Sequence, residues 1–124
     1  MRDLHAKHGK DVQFFVVYIT EAHALDGRAP MNRPGSPLVQ EPMTWVERNK
    51  VATRCVAAME IEHLPTLIDD MDDRVGQAYQ GHPDRLYLVG KDGKIAFAGD
   101  RGPFGFRPQD LSSAIIKELA KQAP

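Results

Sequence analysis

Apolar and polar residues follow two rhythms along this chain, and the switches between them mark out its elements. Residues 2–8, RDLHAKH, are polar apart from Leu4 and Ala6. They read as the last turns of a helix, with Gly9 placed as its C-cap. Strand one is expected from Val12 to Thr20, where the β-branched and aromatic run Phe14–Ile19 predicts a buried central strand. A long connection follows from Glu21 to Pro42, carrying Pro30, Pro34, Pro37 and Pro42 with Gly27 and Gly35. A loop of that length inside a compact domain usually has a function. Thr44-x-x-Glu47 then has the form of a capping box, hydroxyl and carboxylate each satisfying an end amide. Trp45, Ala52, Cys55, Val56 and Met59 recur at helical spacing to about Glu60, with Trp45 read as the core anchor.

Leu64–Ile68 predicts a short second strand, and Asp72 or Asp73 a cap for a short helix through Tyr79. Arg85–Val89 is a third strand, Gly90-Lys91-Asp92-Gly93 a hairpin turn, and Ile95–Ala98 the returning fourth strand. A glycine-rich loop, GDRGPFGF, leads into a last helix from Pro108 to Gln122, with Leu111, Ile115 and Leu119 as its core stripe and Ala114 and Ile116 widening the face. Strands separated by helices imply parallel crossovers, and the hairpin adds an antiparallel edge. The expected fold class is α/β, a thioredoxin-like mixed sheet flanked by helices, in one domain over residues 1–124. A complete fold of that class needs one more strand and the start of the first helix ahead of residue 1, so an N-terminally truncated domain is expected. In that architecture a reactive thiol sits at the N-terminus of that first helix, where the backbone dipole lowers its pKa.

Composition narrows the function classes. Sixteen basic and seventeen acidic residues give a formal charge of -1, with no basic block or stripe. Nucleic acid is therefore not an expected partner. No apolar run approaches the ~20 residues of a membrane helix, and the polar start, MRDLHAKHGKD, is not a signal peptide. One cysteine excludes an intrachain disulfide framework and fits a reducing compartment. The cytoplasm is expected, although a truncated start would also have removed any targeting segment.

Candidate chemistry concentrates where strand one ends. Residues two apart on an extended strand face the same way, so continued strand geometry sets Glu21 beside His23. A carboxylate beside an imidazole is a natural proton-handling pair. Cys55 sits late in a helix on the apolar stripe and reads as an inert, buried small hydrophobe. The Asp69, Asp70, Asp72, Asp73 cluster lacks the ligand spacing of a calcium loop, and His5 and His8 have no third zinc ligand at a suitable spacing. No metal or cofactor is expected. Gly99, Gly102 and Gly105 serve backbone turning.

Four elements of the chain together resemble the iodothyronine deiodinase family. These are VVYITEAHALDG (Val16–Gly27), IDDMDDRVGQAY (Ile68–Tyr79), PDRLYLVGKDGKIAFAGDRGPFGF (Pro83–Phe106) and the closing helix. The resemblance runs from about Gly9 to Leu119 and rests on their order and spacing. It implies a thioredoxin-fold oxidoreductase in which a selenolate or thiolate attacks iodine on an aromatic ring. It further implies that Tyr18, Glu21 and His23 form the proton relay, matching Y-x-x-E-x-H, and that Arg101 holds the substrate's amino-acid end. Tyr18 has a second reading as a core tyrosine with a satisfied hydroxyl. Arg85 is a candidate thiolate-stabilising or substrate-binding residue, or the member of a plain salt bridge.

Three departures qualify the resemblance. The family's selenocysteine or cysteine motif precedes every segment present here. Glu41-Pro42-Met43-Thr44 stands where the vertebrate enzymes carry a histidine for the iodophenol, and Asp100 replaces a glycine. A bacterial member whose substrate the sequence does not give is expected. Its partners would be a small aromatic, thiol or peroxide substrate and a thiol reductant, and its truncated sheet would leave the chain poorly soluble, partly unfolded or a homodimer. A peroxide- or disulfide-reducing redoxin with an upstream cysteine, and a non-catalytic thioredoxin-like module, remain as alternatives.

Overall fold

In the computed structural model, residues 1–21 and 40–124 are described. Most of the connection predicted over Glu21–Pro42, including His23, lies outside the described residues. The rest forms two compact units, one of residues 1–14 with 83–124 and one of residues 15–82.

The first unit holds α1 (Arg2–His8), the hairpin β3 (Tyr87–Val89) and β4 (Ile95–Ala98), and α4 (Pro108–Leu119). Gly9 does stand at the end of α1, but with φ -64 it is right-handed. Crowding explains the glycine, because a Cβ there would lie 2.6 Å from the His5 carbonyl oxygen. The strands pair antiparallel, Tyr87 opposite Ala98, with an irregularity between Leu88 and Val89. Their turn closes through Gly90 N–H donating to the Lys94 carbonyl at 2.8 Å, and Gly93 supplies the positive φ of +78 that the reversal needs. Leu111 and Ile115 of α4 are buried as the stripe predicted. Leu119 is not, and Glu118 takes the inward place, accepting the Lys91 N–H at 3.0 Å. Helix α1 is tied to α4 by buried His8, whose Nε2 lies 2.9 Å from Ser112 Oγ.

The second unit holds β1 (Val16–Tyr18), α2 (Trp45–Ala58), β2 (Thr66–Ile68) and α3 (Arg74–Ala78). The strands pair parallel, Val17 beside Leu67. Strand β1 is shorter than the predicted Val12–Thr20 and is not buried on both faces: Phe15 and Val17 are 56% and 40% exposed. An unbroken apolar run reports composition, whereas here only alternate side chains find cover. Among the described residues, strand pairing is confined to these two two-stranded sheets. The α/β order, the parallel crossover and the antiparallel hairpin of the expected thioredoxin-like class are all present.

The Thr44 half of the α2 capping box forms, while Glu47 reaches past the cap residue to the one before it. Thr44 Oγ1 accepts the Glu47 N–H at 3.2 Å, and Glu47 Oε2 accepts the Met43 N–H at 2.7 Å. The helix stripe has the predicted phase and a different content. Its buried members are Arg48 and Ala52, whereas Trp45 is 48% exposed and no core anchor, and Met59 is exposed. Arg48 is accommodated because its Nη1 donates to the carbonyls of Asp69 (3.2 Å) and Asp70 (2.6 Å) and pairs with Asp73 Oδ1 at 2.9 Å. The cap of α3 also differs. Asp73 occupies the N-cap position without a side-chain bond, and Asp72 Oδ1 receives only the Arg74 N–H at 3.2 Å. Buried Asp69 does most of the capping, accepting the N–H of Val75 (3.0 Å) and of Gly76 (2.7 Å) from the end of β2.

Candidate active site

The site is built where β1 ends. The strand stops at Tyr18 and the chain bends at Thr20, which turns Glu21 back along the element it has just left. The Tyr18 hydroxyl donates to Glu21 Oε2. Extended geometry therefore stops before Glu21, and its expected alignment with His23 falls outside the described residues. Thr20 Oγ1 donates to Glu41 Oε1 at 3.3 Å, so the two ends of the long connection meet beside this pair.

Three titratable groups interact here. Burial first, then the hydrogen bond and negative charge of Glu21, push the Tyr18 phenol far above its ordinary value. Tyr18 consequently stays protonated throughout the physiological range and serves as a hydrogen-bond donor to Glu21, not as a base. The Cys55 thiol is also pushed up, by burial first and then by the charge of Glu21, with the Tyr18 hydroxyl opposing the shift. A thiol so placed stays protonated near neutral pH and is a poor nucleophile. Cys55 is half-buried rather than buried, and its place beside Tyr18 and Glu21 was not expected. The available signal was helical phase: Cys55 lies one stripe position beyond Ala52, on the face that also carries Arg48.

Arg85 and Arg101 belong to the other unit. Arg85 Nε donates to the Gly99 carbonyl at 2.6 Å, and its guanidinium lies 5.1 Å from the Tyr87 ring centroid. These contacts make it a brace for the start of the glycine-rich loop. Arg101 is exposed. That loop is held where Gly102 N–H donates to the Asp84 carbonyl at 2.9 Å and Gly105 N–H to the Arg101 carbonyl at 3.1 Å. The geometry thus brings Tyr18 and Glu21 together in one unit and places both arginines in the other.

A parallel strand pair and an antiparallel hairpin, each accompanied by helices, define a thioredoxin-like α/β protein. The family model described as Iodothyronine deiodinase matches residues 1–119. The chain is 30% identical over 105 residues to a type I iodothyronine deiodinase of Xenopus laevis, covering 85% of this chain and 39% of that protein. It is 32% identical over 98 residues to a thyroxine 5-deiodinase of Sparus aurata, covering 79% and 35%. With a type II iodothyronine deiodinase of Petromyzon marinus it shares 33% identity over 109 residues, covering 82% and 34%. This chain belongs to the iodothyronine deiodinase family. It spans between a third and two-fifths of the length of these relatives. Among the described residues, no helix is long and apolar enough to cross a membrane.

Proposed function

We propose that this chain supplies the proton-handling and anion-holding parts of a reductive dehalogenase that acts on an iodinated aromatic carboxylate. The observation that carries the reading is the Tyr18 hydroxyl on the Glu21 carboxylate, inside a family match over residues 1–119. A selenolate or thiolate attacks iodine, the carbon–iodine bond breaks, and a chalcogen–iodine bond forms. The ring carbon keeps the electron pair and takes one proton. Two equivalents of a thiol reductant then return the chalcogen to its reduced state, releasing iodide and a disulfide.

Within that reaction His23 delivers the proton, and Glu21 and Tyr18 orient and resupply it; Arg101 grips the substrate carboxylate. The nucleophile is taken from outside these 124 residues, because the chain's one cysteine, Cys55, is held as a thiol.

The test is iodide release from 3-iodotyrosine and from thyroxine by the protein expressed with its upstream coding sequence and supplied with dithiothreitol. Iodide release that falls roughly a hundredfold in Glu21→Gln is expected, in line with a positioned acid–base group. Thiol-dependent peroxide consumption without iodide release would replace this reading with that of a redoxin. Absence of both activities would leave a non-catalytic module.

A further inference from the structure

The glycine-rich loop carries a feature that the proton relay does not use. Phe104 is 95% exposed, the most exposed large apolar residue described. It sits at the tip of a turn that has little freedom to hide it. A Cβ at Gly105 would lie 2.5 Å from the Arg101 carbonyl oxygen, and one at Gly102 would collide with the Asp84 carboxylate. The two glycines are therefore demanded by close packing, and Pro103 between them fixes its own φ. The turn is tied through Gly102 to Asp84 and closed through Gly105 onto Arg101. Its base is braced by Arg85 on Gly99.

Arg101 stands three residues before Phe104 in the same closed turn. It is exposed, and among the described residues it has no ion pair. The cations nearby are otherwise engaged: Arg107 pairs with Asp110 at 3.0 Å, and Arg85 stacks on Tyr87. Asp100, next to Arg101 and also exposed, disfavours a ligand with more than one negative charge. A rigid turn that offers one unpaired guanidinium and one bare aromatic ring suits a ligand with a planar ring and a single carboxylate. The backbone needs little ordering on binding, which leaves the cost of fixing the two side chains.

We propose that Phe104 is a specificity-determining residue, stacking on the aromatic ring of a monoanionic ligand whose carboxylate Arg101 holds. The inference rests on the reading of Arg101 as the anion anchor and adds the element that selects an aromatic body over an aliphatic one.

The experiment is calorimetric titration of the full chain with 3-iodophenylacetate and with cyclohexylacetate, an aliphatic acid of similar size. The native protein is expected to prefer the aromatic acid by roughly threefold to tenfold, the range of one aromatic pair contact. Phe104→Ala and Phe104→Leu should abolish the preference while leaving cyclohexylacetate affinity within about twofold, and Phe104→Trp should keep it. Because the side chain is exposed, unchanged thermal melts are expected for all three variants. Arg101→Ala should weaken both acids alike, by roughly tenfold. A preference that survives Phe104→Ala overturns the role of Phe104 and leaves the Arg101 anchor standing. Undiminished binding in Arg101→Ala overturns the two-point contact together with the anchor. No saturable binding of either acid to the native chain overturns the proposal outright. Loss of dehalogenation with the binding preference intact would fall on the deiodinase reading alone.

Discussion

At the scale of single residues, the chemistry of the site comes from pairs the sequence separates by a few or by many positions. Tyr18 and Glu21 are three apart, and the bend at Thr20 turns that spacing into a hydrogen bond. Cys55 joins them from another element, and its thiol reports on both. Burial and the Glu21 charge raise its pKa, so the neutral thiol's contribution to stability is present below the ordinary thiol value. It is lost as pH rises through the folded value. Glu21→Gln removes the second of those causes. Cys55 should then react with an aromatic disulfide reagent at lower pH than in the native chain, a measurement made unambiguous by its being the one cysteine. A reactivity profile that does not move would show that Glu21 and Cys55 do not sense each other.

Individual elements show where local pattern sufficed and where it did not. The cap of Thr44 on the Glu47 N–H was legible because both partners lie within one helical turn. The cap of α3 was not, because its main acceptor, Asp69, belongs to the preceding strand end and reaches forward six and seven residues. Arg48 is the same case in reverse. On a helix stripe it reads as a polar interruption, and only the returning Asp69–Asp73 segment, more than twenty residues on, makes its burial tolerable. Asp69→Ala strips hydrogen bonds from the N–H groups of Asp70, Val75 and Gly76. It should destabilise the chain by about 2–4 kcal/mol, read from urea unfolding, while Asp72→Ala should cost well under half as much.

At the scale of the whole molecule, the apolar surface left uncovered matters more than the core. Val17 and Leu67 are register partners on the parallel pair, and with Phe15 they leave one face of that sheet open to solvent. Adjacent exposed apolar side chains on a two-stranded sheet favour association. The double variant Val17→Thr, Leu67→Thr should lower the weight-average sedimentation coefficient at high protein concentration if the native chain self-associates through this face. A native chain that sediments as a concentration-independent monomer would count against the expected association. The family match reaches residue 119 of 124, whereas the relatives are more than twice as long as the stretch matched in them. The activity named for those relatives therefore comes to this chain only as a proposal.

The sequence by itself determined the element order, the helix phases, the hairpin turn and the family, because each is written in neighbouring residues or in motifs kept in order. The family resemblance put Tyr18, Glu21 and His23 in one relay, whereas strand spacing alone paired Glu21 with His23. Tertiary structure decided the rest: which face of β1 is covered, that Asp69 caps α3, that Arg48 is buried, that Cys55 lies against the phenol, and that Arg85 braces a loop. These outcomes depend on contacts between segments far apart in the chain. Their energies are set by burial and by hydrogen-bond geometry, neither of which a one-dimensional pattern records.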